Sequence, residues 1–219
     1  MSKEFDVKSV MPTNNVMFQM IFGDERHPRI LIHFLNSVIN PLSPIKTVHI
    51  RRESSPNQEF LLDKGVHLDI FAETSDEIIN IEMQLTGDKH MAARALFYWS
   101  KMFAGQLVVS QQYQKLKRTV SINVLDFKYF KGDDRYWRRG YIADDSSGEK
   151  LTNRLEMHFV EIEKMREMRK DSPITFWIEF FRDPYSELVQ ELCRFVPEIQ
   201  EAKEVYERAK SDPVWRRSG

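Results

Sequence analysis

With 219 residues, 42% of them hydrophobic and 12% aromatic, the chain can build one substantial core and is too short for several. A formal net charge of −1 removes any global electrostatic case for a polyanionic partner, so a basic surface must be local. The single cysteine, Cys193, excludes an internal disulfide and a cysteine-built zinc site, and no apolar run approaches the ~20 residues of a membrane helix. The opening MSKEFDVKSV lacks the apolar core of a secretory leader, so a cytoplasmic protein is expected.

In chain order, residues 13–23 predict a short helix capped by Thr13 or Asn14 and ended by Gly23, with Val16, Met17, Met20 and Ile21 inward. Residues 28–39 predict a second helix. Pro28 lies in its first turn, and Ile30, Leu31, Phe34, Leu35 and Val38 form one apolar stripe. His33 on that helix reads as exposed or satisfied by a neighbour, not as a ligand. Pro41 and Pro44 break the pattern. A strand over 45–53 follows, then a loop or ragged strand over 54–63.

Residues 66–85, VHLDIFAETSDEIINIEMQL, predict a β-hairpin with its turn centred between Ser75 and Asp76. Folding about that centre sets Val66 against Leu85, Leu68 against Met83, Ile70 against Ile81 and Ala72 against Ile79. These residues form one continuous apolar face, because side chains alternate along a strand. The opposite, outward face carries His67, Asp69, Glu82 and Gln84. Asp69 stands directly opposite Glu82, where Cβ atoms lie about 4.5–5.5 Å apart and like charges repel. A bound cation would turn that repulsion into a site. A solvated sheet face is the plainer reading of the same pair.

A long helix is predicted over 88–116. Arg94, Tyr98 and Lys101 share one of its faces, and Gly105 marks a kink or a close-packing point. Its aromatics Phe97, Tyr98, Trp99 and Phe103 read as core. Residues 119–127 are a β-branched alternating strand. The stretch 128–140, KYFKGDDRYWRRG, is a loop in which Lys128, Lys131, Arg135, Arg138 and Arg139 outnumber Asp133 and Asp134. It suits either a nucleic-acid edge, with arginines on phosphates, or a solvated hairpin tip. A strand over 154–163 precedes three helices, at 174–182, 184–195 and 198–210. The division expected is a catalytic-type domain over 1–171 and a helical C-terminal extension over 172–219, whose helices are candidates for self-association into a homodimer.

The order αβββαβ, with Asp on one hairpin strand and Glu-x-Gln on the next, resembles the PD-(D/E)xK nuclease core. TNNVMFQMIFGDERHPRILIHFLNSVI, HLDIFAE, IINIEMQ, RALFYWSKMFAGQL, VSINVLDF and MHFVEIEKM resemble, in that order, the Rpn family of recombination-promoting nucleases and putative transposases, over roughly residues 12–200. The resemblance implies a restriction-endonuclease-like α/β fold, a mixed central sheet flanked by helices. It implies Asp69, Glu82 and the Met83 carbonyl as ligands of a divalent metal, and Gln84 in the place usually held by a catalytic lysine. Oxygen ligands favour Mg²⁺ or Mn²⁺. An amide cannot act as a base near neutral pH but can orient water. The activity implied is metal-dependent DNA endonuclease cleavage leaving 5′-phosphate and 3′-hydroxyl ends. Lys64, Arg94, Tyr98, Arg135, Arg138 and Arg139 are the candidate DNA contacts. Asn15 and Gln19 stand where the family generally has Asp and Lys. That departure keeps open a catalytically weak or inactive DNA-binding or regulatory protein on the same fold.

Overall fold

The structure, a computed structural model, describes residues 11–51, 69–107, 112–169 and 171–211. Helix α1 (Asn15–Phe22) starts where Asn14 Oδ1 accepts the Val16 amide at 3.0 Å, leaving Asn14 itself extended. It stops at Gly23, whose N–H bonds the Gln19 carbonyl; a Cβ there would come within 2.6 Å of that oxygen. Helix α2 (Pro28–Ile39) ends on Asn40 in the left-handed region, a conformation asparagine tolerates.

Strands β1 (His49–Arg51), β2 (Ile70–Glu73), β3 (Glu77–Gln84), β4 (Arg118–Leu125), β5 (Trp137–Gly140) and β6 (Leu155–Glu161) form a mixed sheet in the order β1-β2-β3-β4-β6-β5. The first three are antiparallel, β3, β4 and β6 run parallel, and β5 returns antiparallel on β6. The hairpin has the register the alternation predicts: Ile70 faces Ile81 and Ala72 faces Ile79. Residues 52–68, and with them Lys64, Val66, His67 and Leu68, lie outside the described residues.

Between β3 and β4 runs α3 (Met91–Ala104), the crossover that two parallel neighbours require. It is shorter than the expected 88–116. Gly105 is its C-cap, not an internal kink, and the chain makes a single 3₁₀ turn at Tyr113–Lys115 before β4 begins. The predicted loop 128–140 contains β5, which the pairing with β6 creates; no alternation of its own announced it. Of the strand expected over 45–53, residues 49–51 pair with β2 and 45–48 lie before the strand, while 52 and 53 fall outside the described residues.

One sheet face, with Ile70, Ala72, Ile79, Ile81, Met83, Val120, Ile122, Val124 and Val160, packs on α1 and α2 and on α4 (Ile174–Arg182) and α6 (Pro197–Ser211). The short α5 (Glu187–Leu192) closes the same core through Val189 and Leu192. The helices expected as an extension therefore share their apolar interior with the N-terminal helices. Trp177 stands at the junction, edge-on to Phe22 and Phe34 at ring-centroid distances of 5.1 and 5.9 Å. Its indole N–H donates to His33 Nδ1 at 3.0 Å, which satisfies that histidine. Val16, expected inward, is exposed on α1. The other sheet face is covered by α3, with Met91, Ala95 and Trp99 on Leu125, Leu155, Met157 and Phe159. Among the described residues no helix is long and apolar enough to cross a membrane.

Candidate metal centre

A central strand has two covered faces, and β3 is central. The side chains of Glu82 and Gln84, expected to face outward, therefore lie beneath α3 together with Asn80. Asn80 is 0% and Glu82 1% exposed; only Gln84, at the C-terminal end of the strand, is half open. This overturns the outward-facing hairpin. The alternation was read correctly, but the second face is covered by a helix that alternation cannot show. On β4, Asn123 sits in register with Glu82 and Ser121 with Asn80, so a buried polar row crosses two strands.

Asp69, one residue before β2, accepts the Met83 backbone N–H at 2.7 Å through Oδ2. That bond fixes its carboxylate on the edge of β3 beside Glu82. A residue's N–H and C=O point to the same edge of a strand, so the Met83 carbonyl shares this edge while its side chain is in the core. Glu82 receives Asn80 Nδ2 at 3.2 Å on one oxygen and Gln84 Nε2 at 3.4 Å on the other. Arg94, from the first turns of α3, donates to Gln84 Oε1 at 3.1 Å and brings its charge to 3.7 Å from Glu82. Tyr98 lies one turn further on, its ring 5.2 Å from the Arg94 guanidinium.

The electrostatics follow from that enclosure. Burial, and next the nearby Asp69 charge, push the Glu82 carboxyl up to about 8, against the weaker pulls of the Asn80 bond and Arg94. Burial also raises Asp69, partly offset by the Met83 N–H and Arg94. The two acids are thus brought together with less positive charge than both need. Among the described residues the surrounding amide oxygens Asn80 Oδ1 and Asn123 Oδ1 are buried without a hydrogen-bond donor, and the Arg94 Nε–H without an acceptor. Unused buried acceptors are costly, and here they cluster around Glu82. Among the described residues no three His, Cys, Asp or Glu side chains gather as a metal-binding group. A cation here would therefore take two carboxylates and neutral oxygens, a donor set that fits Mg²⁺ or Mn²⁺ and not a soft metal.

A family model described as PD-(D/E)XK nuclease family transposase matches residues 12–217. The chain belongs to this family. Neither a curated protein nor a solved structure gives a match. On the resemblance given above, Asp69 would be the D of the motif and Glu82, Met83 and Gln84 its last three places, with an amide where the K stands.

The remaining predicted contacts separate. Arg94 and Tyr98 join the acid pair. Arg135, Arg138 and Arg139 lie on or beside β5, three strand spacings from β3, roughly 14 Å at ~4.8 Å per strand. Arg135 is held by Asp133 at 2.7 Å. Arg138 bonds the same aspartate and stacks on Phe130, and Arg139 bonds the Ile39 carbonyl and faces Glu156 at 3.4 Å. Asn15 and Gln19 are exposed on α1, which packs on the sheet face opposite Glu82. Asn80 and Asn123 were missed from sequence. Their signal was available: polar residues at every second position, 80-82-84 and 121-123, inside otherwise apolar strands.

Proposed function

We propose that this PD-(D/E)XK family member is a metal-dependent DNA endonuclease in which Asp69, Glu82 and the Met83 carbonyl hold one Mg²⁺ or Mn²⁺ ion. The observation that carries the reading is the buried, under-compensated acid pair, with Glu82 raised to about 8 beside Asp69. When bound, the ion would act as a Lewis acid on the phosphodiester and acidify a nearby water. The chain's own groups do the rest. The Met83 N–H orients Asp69, and Asn80 orients Glu82. Gln84 positions the attacking water by hydrogen bonding, since its amide cannot take a proton. The positive charge that the motif's lysine would bring comes from Arg94, seated 3.1 Å from Gln84 and braced on Tyr98. It faces the phosphate and stabilises charge as it develops. Cuts of this kind would feed strand exchange, and coordinated cuts require a second copy of the site, hence a homodimer in the cytoplasm. Plasmid nicking with and without Mg²⁺ tests the core of this: wild type nicks only with metal and Asp69→Ala does not nick. Equal cleavage by both proteins would sink the proposal.

A second reading rests on one observation. Arg94 already stands 3.7 Å from Glu82 and so supplies some of the charge a metal would bring. A protein that binds DNA yet gives no calorimetric heat with Mg²⁺ or Mn²⁺ is the regulatory, catalytically quiet form.

A further inference from the structure

The segment joining β4 to β5 is held more firmly than a surface connection needs. Glu161, fully buried at the end of β6, accepts the Tyr129 and Phe130 amides at 2.7 and 3.1 Å through one oxygen. Lys164, also buried, lies 2.9 Å from its other oxygen and donates to the Phe130 carbonyl. The Arg138 guanidinium covers the Phe130 ring at 4.5 Å. The Tyr129 hydroxyl accepts the Ala92 amide at 3.3 Å, tying the loop to the first turn of α3. The Asp126 amide donates to the Gln84 carbonyl at 2.9 Å, tying it to the end of β3. A buried ion pair gains little net stability once desolvation is counted, so what it secures here is the position of a loop that leaves β4 next to Gln84, touches the first turn of α3 and crosses the C-terminal end of β6 on its way to β5.

This fixed loop and the turn it touches present Lys128, Lys131 and Lys89, all exposed. None of the three ammonium groups has an acidic partner among the described residues. The acids in the same segments are engaged: Asp88 accepts the His90 amide, and Asp126 is held by interactions of its own. The arginines further along are neutralised by Asp133, Asp134 and Glu156. Among the described residues these three ammonium groups are thus unpaired, unlike the arginines around β5, and Lys89 and Lys128 flank the Tyr129 contact with the start of α3.

We propose that Lys89, Lys128 and Lys131 form a phosphate track that leads the backbone of duplex DNA across the ends of β6 and β4 toward Asp69 and Glu82. The proposal rests on the DNA-endonuclease reading and specifies where the substrate lies. A preordered loop loses little freedom on binding, and each lysine that replaces a condensed counterion adds about 0.9 to the salt dependence.

Fluorescence anisotropy of a labelled duplex, in EDTA so that nothing is cut, provides the test. Lys89→Ala, Lys128→Ala and Lys131→Ala combined should lower the slope of log affinity against log salt by about 2.7, with each single change taking roughly a third. Affinity at low salt should fall at least about tenfold, with the circular-dichroism melt unchanged because all three side chains are exposed. A triple variant with wild-type slope and affinity, or a loss that appears instead in Arg135→Ala, overturns the track while leaving the endonuclease reading standing if wild type still nicks with Mg²⁺. A wild-type protein that neither binds duplex at low salt nor nicks removes both.

Discussion

Replacing Glu82 by Gln should stabilise the metal-free protein, and by an amount that grows with pH. The folded state holds this carboxyl at about 8, against an ordinary 4.5. Between those values the folded chain binds a proton that the unfolded chain has lost, so stability falls as pH rises from about 4.5 and levels off above about 8. At roughly 1.4 kcal/mol per tenfold, the cost is about 3 kcal/mol at pH 7 and about 5 kcal/mol above pH 8. Glu82 is almost fully buried, so solvent screening does not reduce the effect. Glutamine keeps the shape and can still accept from Asn80, and it never ionises. Urea unfolding of wild type and Glu82→Gln in EDTA, at pH 4.5, 7 and 9, gives the difference directly; other titrating groups cancel between the two proteins. The gap belongs to the Asp69–Glu82 pair, because neutralising one acid also relieves the other. Saturating Mg²⁺ should then stabilise wild type, by about 2.7 kcal/mol at a hundred times the dissociation constant, and leave the variant nearly unmoved. A stability difference that stays flat from pH 4.5 to 9 would show that Glu82 ionises freely in the fold and would refute the electrostatic basis of the site.

Asn80→Leu removes a buried acceptor without a partner and the bond that orients Glu82. The unsatisfied oxygen costs about 1–3 kcal/mol, so the variant's melting point should hold or rise while Mn²⁺ affinity measured by calorimetry falls; unchanged affinity would reduce Asn80 to a core residue. Arg94→Ala should raise the apparent Mg²⁺ affinity, since a competing cation leaves Glu82, yet cut the nicking rate at saturating metal, and equal rates would remove Arg94 from the reaction. Ending the chain at residue 171 deletes Trp177, Ile178, Phe180, Phe181, Ile199 and Tyr206, all buried in the shared core. At about 1.5–3 kcal/mol for each large apolar side chain, the loss exceeds the few kcal/mol that hold a domain together. The truncated protein should show no cooperative melt, and a sharp transition would make 11–171 a domain in its own right.

The hairpin register, the αβββαβ order and the pairing of Asp69 with Glu82 were all legible in the sequence, because alternation and turn chemistry act over a few neighbouring residues. The C-terminal helix Ile174–Arg182 was equally legible, its apolar stripe being local to nine residues. What lay beyond the sequence depends on partners far along the chain. Arg138 and Arg139 read as open to a phosphate until Asp133, Glu156 and the Ile39 carbonyl, the last of them 100 residues away, fold against them. Lys128 and Lys131 were legible only as part of a basic loop, and it is Glu161 and Lys164, about 30 residues further on, that fix where that loop lies. The sequence by itself set Asp69 opposite Glu82. Only the tertiary structure put the pair under α3, and that burial, by withholding water from two like charges, sets up the repulsion that the proposed cation would relieve.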